Sequence, residues 1–189
     1  MATLAYLVGI VGSIVLVIGA AWPEKKNEQP VRSVKDWLLS LGGILMLIYS
    51  IINYTIGGSI FFIFLQILIA ISSILMMLDT DDRLDLVILS ICATILIGWS
   101  LTLFTGYETI IFIFGLTGVG LGYAFKPSTI RREISLTLGS IIIVIFSYLQ
   151  SNWIFCGLNI FFAFFSGYYL IKIIQSTSRT PHAKLRSHP

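Results

Sequence analysis

Charge is what this sequence has least of. Only 11% of its 189 residues are Asp, Glu, Lys or Arg, while 57% are hydrophobic. A soluble domain carries about 25% charged residues, so the composition excludes an ordinary globular chain. Histidine is nearly missing too: His182 and His188 both fall in the polar C-terminal tail. No Glu lies inside an apolar run, and Asp85, at the start of one, is the single carboxylate there. That leaves no nucleophile–base pair, no phosphate-binding loop and no metal-ligand spacing, so the chain is read as no enzyme, with no metal and no cofactor. Charge-poor runs also argue against ion pumping or a proton relay, which need ionisable groups within the membrane. The two cysteines, Cys92 and Cys156, both sit in apolar runs. They read as small buried hydrophobes rather than a disulfide framework.

What the sequence has in abundance is apolar runs of about 20 residues, the length that crosses the hydrocarbon core as an α-helix. Hydropathy and breakers place spans near 4–22, 38–55, 60–78, 85–104, 109–126, 134–150 and 153–174. The first run has no Lys or Arg before it and is followed by cations, the reverse of a signal peptide, so it is expected to be a retained helix. All twelve cations fall in alternate connections, at their borders or at the C-terminal end: Lys25, Lys26, Arg32 and Lys35; Arg83; Lys126, Arg131 and Arg132; then Lys172, Arg179, Lys184 and Arg186. Lys and Arg collect on the cytoplasmic side, which predicts the N-terminus out and the C-terminus in. Trp22, Trp37, Trp99 and Trp153 fall at span ends, as interfacial aromatic belts do. The net charge of +3 is thereby explained by topology, with lipid headgroups and not nucleic acid as the partner.

The chain also matches itself. Pro23 aligns with Pro127, pairing Ser13 with Thr117 and Ala20 with Ala124; "LGGILMLIYS" (41–50) matches "LGSIIIVIFS" (138–147). "FLQILIAISS" (64–73) matches "GLNIFFAFFS" (157–166), pairing Gln66 with Asn159. The expected fold is all-α and integral to the membrane, a 3+1+3 arrangement of two parallel three-helix repeats. Residues 1–78 form the first bundle, 79–108 a linker helix with its loops, 109–174 the second bundle and 175–189 a disordered cytoplasmic tail. Transporter sites commonly lie at such repeat interfaces.

A proline ending the first helix of "GIVGSIVLVIGAAWP", then a basic stretch ending "RSVKD", resembles the PQ-loop/SWEET superfamily of transporters. The related nicotinamide-riboside transporters share that architecture. The resemblance covers most of the chain. It implies a sugar as the first solute class, with a vitamin or nucleoside next. It also implies that polar residues of helices 3 and 7 grip the solute, with Asn159 matching the family's asparagine and Gln66 as a longer substitute.

From the residues themselves, Gln66 and Asn159 lie about 10 Å inside the outer ends of their helices. A carboxamide facing lipid would leave its donors and acceptor unpaired, so both should point into the bundle. They are either a symmetric solute-binding pair or interhelical hydrogen-bond glue. Tyr49 and Phe146 occupy equivalent positions, as an aromatic platform or as packing. Ser50 and Ser147 pair likewise, lining a pore or bonding their own helix backbone. Pro23 and Pro127 read as hinges or as plain helix terminators. The expected function is a uniporter-like, alternating-access facilitator of a small neutral polar solute, in the plasma (cell inner) membrane, with a second copy allowed as partner. The alternative is a non-transporting receptor or assembly subunit of the same fold, since fold does not dictate function.

Overall fold

The computed structural model describes residues 2–22, 33–78, 80–126 and 129–179. Seven α-helices make up nearly all of them: α1 (Ala2–Ala21), α2 (Val34–Thr55), α3 (Phe61–Leu78), α4 (Asp82–Thr102), α5 (Tyr107–Ala124), α6 (Ile130–Leu149) and α7 (Trp153–Arg179). Each is long and apolar enough to cross a membrane, the make-up of a multi-pass, all-α integral membrane protein. Large apolar side chains stand exposed on all seven helices, and all four tryptophans are among the exposed residues.

Caps set the helix starts. The Ser33 hydroxyl accepts from the Asp36 amide at 3.3 Å, so α2 begins before the apolar run and takes in Lys35 and Asp36. The Asp81 carboxylate accepts from the Arg83 amide at the head of α4. Thr129 does the same for the Arg132 amide, which starts α6 at Ile130 rather than 134. That start corrects one expectation: Glu133, assigned to a loop, lies in the first helical turn and is buried. Hydropathy misses such turns because capping satisfies the free amides whatever the polarity of the residues that follow. α7 likewise runs on to Arg179, so 175–179, expected in the tail, are helical. Positions 180–189 lie outside the described residues, as do the proposed hinges Pro23 and Pro127.

Packing is heaviest within α1–α2, α5–α6 and α6–α7, then α2–α3, and lighter where α1 meets α7 and α3 meets α5. Among the described residues these contacts close a ring of six helices. α4 touches only α3 and α5 and is the least buried span. The α2–α3 turn is tight, with Gly57 at φ +99°, a conformation that glycine adopts without strain.

Candidate functional site

Five helices contribute rings to the interior at the end where α3, α5 and α7 begin. Phe61 and Phe62 come from the first turn of α3, Phe112 from α5, Phe155 from α7, and Tyr49 and Phe146 from the far ends of α2 and α6; all six rings are buried. Phe62 and Phe155 stack face to face, centroids 4.3 Å apart and planes within 4°. Phe146 lies 5.3 Å from Phe62, and Tyr49 lies 5.5 Å from Phe155. Phe112 bridges Phe61 at 4.8 Å and Phe146 at 5.1 Å. Together the rings form a plug that closes this end of the bundle. Tyr49 and Phe146 belong to it, covered by other rings rather than open as a platform.

The Tyr49 hydroxyl donates to Oδ1 of Asn152 at 3.0 Å. The same oxygen accepts from the Phe155 amide, so Asn152 caps α7 and ties it to α2. Composition gave no hint of this residue. The signal was its place just ahead of an apolar run, where Asn is a favoured N-cap.

One helical turn from the stacked pair lie Gln66, four residues beyond Phe62, and Asn159, four beyond Phe155. Both are buried. Asn159 donates from Nδ2 to the Phe155 carbonyl of its own helix at 2.8 Å. Gln66 makes no such bond: Nε2 and Oε1 are both buried without a partner. The Ser147 hydroxyl is likewise buried and unpartnered, whereas Ser50 donates to the Leu47 carbonyl. The hydrogen-bond glue expected as one role for Gln66 is therefore not made in this conformation. An unpaired buried polar group costs about 1–3 kcal/mol, and Gln66 alone carries two donors and an acceptor. Groups of this kind can satisfy hydroxyls or amides of a neutral ligand.

At the opposite end a cavity of about 500 Å³ lies between α3, α4, α5 and the start of α6. Its wall carries Asp81, Arg83, Asp85, Lys126, Arg132 and Tyr123. Asp81 and Asp85 come from the acidic run 79–85; Asp85 accepts a hydrogen bond from the Thr80 hydroxyl. Both cysteines are free thiols, and no cluster of His, Cys, Asp or Glu suited to a metal occurs among the described residues. No family model, curated protein or solved structure matches this chain.

Proposed function

We propose that this protein is a membrane facilitator of a small neutral polar solute, a sugar foremost and a vitamin or nucleoside next, working by alternating access between two three-helix bundles. The observation that carries the reading is the Gln66 carboxamide, buried in an apolar bundle with no protein partner, one turn beneath a ring plug. A group left unpaired at such a position is explained if its partner is a ligand that comes and goes. Asn159 is the other proposed contact beneath the plug; Tyr49, Phe146 and the unpartnered Ser147 belong to the closure above, where they would meet the solute as it passes, and Ser50 is the repeat mate of Ser147.

Contacts support the two-repeat arrangement. Under shifts of 103, 97 and 93 residues, α1, α2 and α3 map onto α5, α6 and α7. Gly12 faces Leu45 and Met46 as Gly115 faces Ile142 and Ile143. Gly42 abuts the Leu16 backbone as Gly139 abuts that of Val119. The plug obeys the same rule: Tyr49–Phe155 maps onto Phe146–Phe62, and Gly9 against Ile154 maps onto Phe112 against Phe61. Phe62 and Phe155 map onto each other, and their stacking supports a pseudo-two-fold axis beside them. Gln66 and Asn159 then flank that axis one turn further in. The light α1–α7 and α3–α5 contacts are the seams on which two such bundles would rock.

The test is solute binding by the purified protein. A thermal-shift panel of sugars, vitamins and nucleosides should contain a solute that raises the melting temperature of the wild type. Gln66→Met should abolish the shift. A panel that stabilises neither protein, or both equally, counts against this site.

One observation favours the second reading, an assembly subunit. α4 seats Ala93 on Gly120 and Trp99 on Phe64. The repeat mates of Gly120 and Phe64 are Val17 and Gly157, which line an open apolar groove of about 340 Å³ between α1 and α7. A partner's transmembrane helix would fit there as α4 fits its own groove. A stoichiometric chain that co-purifies in mild detergent, and is lost in Gly157→Leu, would support that reading over transport.

A further inference from the structure

The cavity at the cation-rich end takes no part in the proposed solute site. Arg83, Lys126 and Arg132 line it together with Asp81 and Asp85. The two carboxylates already have work: Asp81 caps α4 through the Arg83 amide, and Asp85 holds the Thr80 hydroxyl. On the basic side, Nε of Arg132 is buried with no acceptor. A buried guanidinium donor without an acceptor is expensive, and the planar fork suits a carboxylate or phosphate. Apart from Ser72 and Tyr123 the rest of the wall is apolar, including Leu75, Leu86 and Leu89. At about 500 Å³ the space far exceeds a bare phosphate ion. Its position at the end of the helices puts it at headgroup depth in a bilayer, and basic pockets between transmembrane helices suit acidic headgroups.

We infer that this cavity binds a phosphate-bearing anion with an apolar portion, its phosphate on Arg132 and Arg83 and its apolar part along Leu75, Leu86 and Leu89. An anionic phospholipid and a free phosphorylated solute both fit this chemistry. The inference stands on the cavity alone and is independent of whether the protein transports.

Native mass spectrometry of the full chain in mild detergent tests it, with equimolar dioleoylphosphatidylglycerol and dioleoylphosphatidylcholine offered together. The expected result is one phosphatidylglycerol retained, with phosphatidylcholine retained about tenfold less, a preference worth one decade in Kd. Arg132→Gln and Arg83→Gln should each remove most of that preference, while Lys172→Gln, an exposed cation away from the cavity, should preserve it. Arg83 is exposed, so Arg83→Gln decides the matter even if Arg132→Gln folds poorly. Competition with millimolar glycerol 3-phosphate separates the sources: lipid that stays bound identifies a headgroup site, and lipid that is displaced identifies a site for phosphorylated solutes. Equal retention of the two lipids by the wild type, or an undiminished preference in Arg83→Gln, would overturn the inference.

Discussion

A carboxamide without a partner separates two effects that usually travel together. Because Gln66 makes no hydrogen bond to the protein, replacing it with Met, of similar length, removes a desolvation penalty without opening a cavity. Gln66→Met should therefore leave the melting temperature unchanged or higher while lowering solute flux by about tenfold or more, the worth of one lost hydrogen bond to a desolvated ligand. Asn159→Ala should lower flux similarly with little change in stability, since its one bond is to its own helix. A variant that loses stability and keeps flux per folded molecule would assign the residue to structure instead. Tyr49→Phe makes the opposite prediction. Its hydroxyl joins α2 to the cap of α7, so the variant should lose about 1 kcal/mol in a denaturation series. The burial of Gln66 and Asn159 was legible in the sequence, because a carboxamide has no tolerable place against lipid. Which of the two is left unpaired was not, because that depends on whether the side chain can reach a carbonyl of its own helix.

At the scale of elements, close approach of helices sets the register. A Cβ on Gly139 would lie 2.5 Å from the Val119 nitrogen and 2.8 Å from the Gly118 carbonyl carbon. Neither backbone atom can swing away, so Gly139→Ala should push α5 and α6 apart and destabilise by about 1–3 kcal/mol. Gly157 and Gly98 face open space. Alanine there should be neutral or stabilising by up to about 1 kcal/mol through helix propensity, and thermal denaturation of the three variants checks the ranking. These glycines also show where sequence matching slips. Aligning Pro23 with Pro127 pairs Ser13 with Thr117, but the glycine contacts give a shift one residue smaller, pairing Gly12 with Gly115 and Gly19 with Gly122. Beyond a helix end one residue is easily absorbed, whereas between touching backbones it is not. α2 and α6 needed no adjustment: at a shift of 97, Gly42, Gly43, Met46, Tyr49 and Ser50 match five residues that are also buried. Helix number was legible because seven apolar runs are bounded by polar breaks. The cap-driven starts at Val34 and Ile130 were not, since they lie in polar sequence.

At the scale of the whole molecule, the ring plug seals one end, and the unpartnered Gln66 lies in the interior beyond it. A facilitator must open that plug on one stroke and reseal it on the next, and the seams α1–α7 and α3–α5 are where the two halves touch least within the ring. The charged cavity lies off this axis, between α3, α4 and α5, and so would serve anchoring or regulation rather than passage. The most direct test of the central claim is counterflow in liposomes loaded with unlabelled solute and given a trace of the same solute in labelled form outside. The account predicts transient, saturable uptake of label with no ion gradient imposed, and its loss in Gln66→Met protein of undiminished melting temperature. Uptake no greater than in empty liposomes across sugars, vitamins and nucleosides, with the protein shown to be folded, would contradict it.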